Sequence, residues 1–448
     1  MELAHEQHGH MDDRHSVIHH HGPRTMPAVI SAPAMVAEWR KRMVVVALVA
    51  TVVSLLFAFF PGGRGHILRA YLLGFMMTFT FAGGGLCLLM LQYVSGGKWG
   101  LLLRRPLEAM ARTLPMVALL LVPIGLFAKK LFLWANYPTD ASAWQGVHKF
   151  QISEEQALTI NAKRVMLSPS GFWIEAIAIF GILGLMLYFL QKWSMERDAD
   201  PVAGTQRSFD RWREKFENLS GIGILIYVVL MSAGAITWIM SLDVTWYSSI
   251  WGLQFLVGQG FAVLALGILT VILLSKSEPM KTLLRVTEQH DLGKFLFAFV
   301  MLNIYLTFAE FLIIWSGNLP DEIPWYLNRT RGGWWVICAM DFVFHWVVPF
   351  TLLLSRNLKR DKSKMVWLTC WMIFARAFDL FWLIEPNFGD AARNLHIVGN
   401  IGILAYITVP IAVLAAWAVY YLTLLMSRPL INTNDPHLAE MLEADHAH

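Results

Sequence analysis

The chain has 448 residues, 56% of them hydrophobic and only 15% charged, against about 25% charged in an average soluble domain. The apolar residues arrive in blocks of about twenty, the length that crosses a hydrocarbon core of roughly 30 Å, which excludes a soluble multidomain enzyme. The net charge of +4 is small, implies no nucleic-acid partner, and matters less than its distribution.

Residues 1–42 read as a polar cytoplasmic tail holding seven histidines (His5, His8, His10, His15, His19, His20 and His21), a tract that could bind a metal ion adventitiously. The first apolar block follows it, too late for an ordinary cleaved signal peptide. Spanning helices are predicted at 43–60, 67–94, 110–134, 171–192, 219–240, 248–275, 292–316, 333–356, 365–385 and 399–426. They must be helices, because a lipid-exposed backbone satisfies its own hydrogen bonds. Turn chemistry separates them at Pro61-Gly62-Gly63, Ser95-Gly96-Gly97 and Gly332-Gly333. Pro123 and Pro410 fall inside helices, where membranes tolerate them. Residues 427–448 read as an acidic cytoplasmic tail. Cys87, Cys338 and Cys370 lie in apolar blocks with no CxxC or CxxCH spacing, so neither structural disulfides nor c-type haem are expected on this chain.

Lysine and arginine set the orientation. Lys98, Arg104, Arg105 and Arg112 mark the loop between helices 2 and 3, and comparable clusters mark loops 4–5, 6–7 and 8–9. These loops share a side with both termini, which are therefore expected in the cytoplasm. The opposite loops carry Trp134, Tyr137, Trp246, Tyr247, Trp325, Tyr326, Trp334 and Trp335, the composition of an interfacial aromatic belt or of a docking surface for an external partner.

Ionisable side chains inside a membrane are costly and need a reason. Helices 7, 8 and 9 hold Glu310, Asp341, His345, Arg376 and Asp379. At 1.5 Å rise per residue, all five fall in the outer half, Glu310 about 10 Å and Asp341 about 12 Å below the outer end, His345 near the midplane, and Arg376 and Asp379 at about 9–14 Å. Asp341 and His345 are spaced i, i+4, and Arg376 and Asp379 i, i+3, so each pair shares a helix face. Three acids face one arginine and one histidine. An acid left without a fixed counter-charge is free to relay protons or to hold a quinol hydroxyl; alternatively, the group is a salt-bridged clamp that locks helices 7 to 9 together. Asn303 and Tyr305, with His290, Asp291 and Lys294 further along, could extend a polar track inward. Glu175 and Lys129–Lys130 read as interfacial. Asp243 either caps the turn at Thr245–Ser248 or points into the bundle.

No P-loop, dinucleotide fingerprint or zinc spacing occurs, and one intramembrane histidine cannot supply paired haem ligands. The ordered motifs Trp238-Ile239-Met240-Ser241-Leu242-Asp243, Trp246-Tyr247-Ser248, His290-Asp291-Leu292-Gly293-Lys294, Ile313 through Pro320, Ile323-Pro324-Trp325-Tyr326-Leu327, Gly332-Gly333-Trp334, Leu353 through Arg360 and Arg376-Ala377-Phe378-Asp379-Leu380-Phe381-Trp382 are distinctive. Together they resemble the ActF-type membrane subunit of bacterial alternative complex III, a quinol:cytochrome c oxidoreductase of the wider NrfD/polysulfide-reductase type. The likeness spans roughly residues 40 to 426.

The resemblance implies an all-α integral protein of the bacterial inner membrane, built from two four-helix bundles (helices 2–5 and 6–9) with flanking helices 1 and 10. It implies lipid and four protein partners: a multihaem c-type cytochrome, an iron–sulfur subunit, a monohaem cytochrome and a related ten-helix subunit. Haem c and iron–sulfur clusters would then sit on those partners, quinol would be the complex's substrate, and this chain would be a non-redox subunit offering a proton path and a scaffold. Asp243, His290, Asp291, His345, Arg376 and Asp379 fall in family motifs. Glu310 stands where a glutamine is expected, Asp341 where an apolar residue is, and Glu175 where a basic residue is commoner, so the cluster here is more anionic than the family pattern. A secondary transporter and a purely structural anchor are the alternatives. On the proton-path reading, Asp379→Asn is expected to lower proton release while leaving assembly intact.

Overall fold

The computed structural model describes residues 27, 29–60, 63–97, 99–136, 154–200, 206–388, 404–432 and 434–435. The histidines of the N-terminal tail, Lys98, Tyr137, most of the long loop between helices 3 and 4, the predicted start of helix 10 and residues 436–448 lie outside these. Among the described residues ten helices are long and apolar enough to cross a membrane, and no strand forms. They are α1 (Ala34–Phe59), α2 (Gly65–Ser95), α3 (Trp99–Leu126), α4 (Pro169–Asp198), α5 (Ser208–Leu242), α6 (Trp251–Leu274), α7 (Val286–Gly317), α8 (Trp334–Leu354), α9 (Lys362–Asn387) and α10 (Ala405–Met426). Each matches one predicted span, and the protein is an all-α multi-pass membrane protein.

Helices α2 to α5 form one bundle and α6 to α9 a second, joined where α2 and α5 pack on α6. Helices α1 and α10 pack on each other, and α10 packs on α2. The most buried spans, α2 and α6, are the central pair; α1 shows most of its apolar surface outward, as a lipid-facing helix must. The Leu430 amide donates to the Ile30 carbonyl at 2.7 Å, so the two ends of the described chain meet on one side of the bundle, called here the terminal side.

Three boundaries depart from expectation. Helix α1 begins at Ala34, within the predicted polar tail, because Trp39 and its neighbours pack on the core. Helix α3 begins at Trp99, so Arg104 and Arg105 are buried helix residues and not loop charges. Residues 427–435 do not hang free: Leu430, Ile431, Asn432 and Asp435 are buried against the bundle. Gly96, Gly97, Gly332 and Gly333 all have positive φ, which makes the turns between α2 and α3 and before α8 possible without a Cβ clash.

The aromatic belt is also corrected. Trp134, Trp246, Trp325 and Trp334 are buried, whereas Tyr247 and Trp335 are 50% and 61% exposed. The short helix Ile323–Thr330 lies over the bundle end, stacking Trp325 on Trp246 at 4.5 Å, with Trp251, Tyr326 and Trp382 edge-on. The buried Arg329 guanidinium lies 3.6 Å over the Trp325 ring and donates to the Leu383 carbonyl and Asn387 Oδ1. These tryptophans close the end of the bundle because a loop helix folds back on them; composition alone does not distinguish that from a belt at the lipid interface.

Candidate functional site: a buried acid, histidine and arginine cluster

Four of the five intramembrane residues come together. Arg376 Nη1 donates to Asp379 Oδ2 one turn along α9. Donor atoms of Asp341, His345 and Asp379 all lie within 4.8 Å of one another. Asp341 Oδ1, His345 Nε2, and Arg376 Nε and Nη2 are buried with no protein hydrogen-bond partner. The His345 ring stands edge-on to Phe261 of α6 at 4.6 Å.

Local sequence explains how α8 presents His345. Residues Val343–Val347 form one π turn, in which the Val348 amide bonds the Val343 carbonyl. Pro349 has no N–H, so the Phe344 carbonyl has no backbone donor at the end of that turn. The Trp371 indole of α9 supplies one at 3.1 Å. A π turn held by a proline on one side and an indole on the other sets the histidine against α6 and pins α8 to α9. Such turns are frequent at functional sites.

Helix α6 makes room for the arginine. A Cβ at Gly258 would lie 2.5 Å from Arg376 Nη1, and the guanidinium packs 5.3 Å over the Phe255 ring. Gly258→Ala is therefore expected to cost about 1–3 kcal/mol through overpacking. Gly181→Ala on α4, where a Cβ meets nothing within 4 Å, is expected to be neutral or stabilising by about 0.5 kcal/mol. Thermal unfolding of both variants in one detergent checks the pair.

The charges decide what the cluster can do. Two carboxylates and one guanidinium leave one negative charge, which a single proton neutralises. Two carboxylates and an imidazole are also a donor set for a divalent ion, but the Arg376 charge at the same spot opposes one. The Arg376–Asp379 ion pair lies within α9 alone, with Asp341 and His345 of α8 beside it.

Glu310 has a place of its own. Its oxygens accept from Ser248 Oγ and from Gln254 Nε2 at 2.8 Å, and it hydrogen-bonds Tyr326. Gln254 lies one helical turn, about 6 Å, before Gly258 on α6, so Glu310 sits next to the cluster, not in it. The proposed inward track is not built: Asn303 is half-buried, Tyr305 is 67% exposed, and Asp291 forms an exposed pair with Lys294 at 2.7 Å. His290 and Asp291 lie on the terminal side, about 30 Å along α7 from Glu310. Asp243 caps a turn, accepting from the Thr245 amide at 3.2 Å and the Thr245 hydroxyl at 2.7 Å. Nearby Lys163 donates to the Val244 carbonyl at 2.9 Å; burial lowers the pKa of its ammonium and the Asp243 carboxylate offsets part of that. Glu175 accepts from Thr237 Oγ1 at 2.6 Å.

Two ionic groups escaped sequence reasoning. On the far side Glu385 accepts from Tyr406 and, at 3.1 Å, from Arg69, with His66 Nδ1 at 3.9 Å. On the terminal side Glu108 accepts from Arg105 at 2.6 Å and Ser194 at 2.9 Å, while Asp198 takes Arg105 and Asp435 takes Arg104, with Arg197 at 3.6 Å. Charges at predicted helix ends read as interfacial or loop residues, and the only signal against that was Glu108 among so many arginines.

These features define a multi-pass membrane protein with two acids, a histidine and an arginine gathered in its second bundle. Comparison with known protein families found no family model that matches the chain, and comparison with curated proteins found no match.

Proposed function

We propose that this chain is an integral membrane subunit of an alternative-complex-III-type quinol:acceptor oxidoreductase of the bacterial inner membrane, in which it supplies a proton-exchange group and a scaffold. The motif series from Trp238 to Trp382 supports the family. The observation that carries the proton role is Asp341: a carboxylate with no ion-pair partner of its own beside a buried Arg376–Asp379 pair and an unpartnered His345 nitrogen. In this reading Asp341, His345 and Asp379 exchange the proton and Arg376 sets the charge balance. Glu310, fixed by its hydrogen bonds, lies on the far-side approach. Electrons pass through haem c and iron–sulfur clusters of partner subunits, and the complex's substrate is a quinol. The terminal side, which carries the lysine- and arginine-rich loops, faces the cytoplasm.

Purification from native membranes in mild detergent, followed by mass spectrometry of co-migrating subunits, tests the assignment. A multihaem c-type cytochrome, an iron–sulfur protein, a monohaem cytochrome and a related ten-helix subunit are expected. A chain that migrates alone and carries a solute into liposomes is a secondary transporter instead.

A further inference from the structure

Among the described residues the ionic network on the terminal side does not balance. Among these residues four guanidinium groups (Arg104, Arg105, Arg197 and Arg428) meet three carboxylates (Glu108, Asp198 and Asp435), and Arg112 beside them pairs with none. The carboxylates are committed to Arg104, Arg105 and Arg197 in the interior. What remains is at the rim. Arg112 donates only to uncharged groups, Ser427 Oγ at 2.9 Å and the Leu424 carbonyl at 3.3 Å. Arg428 donates to Gln191 Oε1 and reaches Glu108 only at 3.5 Å, on an oxygen already bonded to Arg105. These contacts bring the middle of α3 against the ends of α4 and α10 and set two arginines side by side, since Arg112 bonds the residue next to Arg428.

Both arginines stand where polar helix turns meet apolar spans. Strongly apolar sequence starts at Leu114 on α3, and α10 ends at Met426. Lys192 on α4 is exposed, and Tyr188 and Leu185, at i−4 and i−7, continue its stripe as exposed apolar surface. Leu119, seven residues after Arg112, is 71% exposed on α3. Excess positive charge thus sits directly beneath apolar stripes of two neighbouring helices.

We propose that this corner binds an anionic phospholipid of the leaflet on the terminal side, its phosphate held between Arg112 and Arg428 and its acyl chains lying on the Leu119 and Leu185–Tyr188 stripes. Charge complementarity selects the occupant: a phosphodiester supplies the missing negative charge, and the stripes suit its chains. Basic pockets between helices at the cytoplasmic boundary are a recurrent way of holding such headgroups. The proposal does not depend on the proton role or on the partner subunits.

The test uses the intact chain, with its native partners if they co-purify, exchanged into nanodiscs of phosphatidylcholine doped with phosphatidylglycerol and examined by native mass spectrometry. The wild type is expected to retain phosphatidylglycerol over phosphatidylcholine, and the double variant Arg112→Gln with Arg428→Gln to lose roughly 30-fold of that preference. Lys281→Gln, on the same side but away from the corner, is the control and should retain it. Thermal unfolding in pure phosphatidylcholine shows whether the double variant folds; if it does not, Arg112→Lys, which keeps the charge, should fold and retain the lipid. Equal retention by wild type and a folded double variant overturns the proposal, as does full displacement of the lipid by inorganic phosphate, which would make the corner a site for the free anion.

Discussion

On the function proposed above, Asp341→Asn is expected to lower proton exchange coupled to quinol turnover by about 10²-fold or more, the usual worth of a positioned proton-transfer group, without changing assembly. The substitution keeps the side-chain shape and removes only the ionisable proton. Asp341 Oδ1 is buried without a protein hydrogen-bond partner, so the change at that oxygen breaks no bond among the described residues. Asp379→Asn, the obvious choice from sequence, is a poorer test: it breaks the buried Arg376–Asp379 pair and leaves Asp341 as the nearest carboxylate to the guanidinium, so it changes packing and charge balance at once. That variant should lose stability and turnover together. Proton uptake and release by the reconstituted complex, measured beside thermal unfolding of each variant, separates the two effects. Wild-type coupling in a correctly assembled Asp341→Asn protein would reject the relay.

The second large effect is structural and falls on the other bundle. Glu108→Ala is expected to destabilise the protein by about 3–5 kcal/mol, seen as a lower unfolding temperature and reduced yield. Glu108 is almost fully buried and its carboxylate gathers Arg105, Ser194 and, more distantly, Arg428. Without it, Asp198 and Asp435 are left among the described residues to balance Arg104, Arg105, Arg197 and Arg428. Glu108→Gln keeps hydrogen-bonding capacity and should fall between wild type and Ala. Glu196→Ala, on the exposed face of α4, should stay within about 0.5 kcal/mol of wild type. A Glu108→Ala protein as stable as the Glu196→Ala control would mean that the network contributes nothing to holding α3 against α4.

The number and order of the spans were legible in the sequence, because lipid imposes a length and a conformation on every apolar block independently of its neighbours. For the same reason Glu310, Asp341, His345, Arg376 and Asp379 could be recognised as intramembrane groups from position alone. Even the π turn left a trace, in Pro349 four residues after His345. Which of these groups share a site was decided by tertiary structure. Glu310 is drawn to Ser248, Gln254 and Tyr326 by the loop helix that folds over the bundle end, whereas Gly258 on α6 lets Arg376 settle beside Asp379. The start of α3 was illegible for a related reason. Arg104 and Arg105 look like loop charges until Asp198 and Asp435, the latter from the far end of the chain, are placed against them. A hydrocarbon solvent acts on each residue separately, so its effects can be read along the chain; an ion pair needs two residues in contact, and only the fold brings them there.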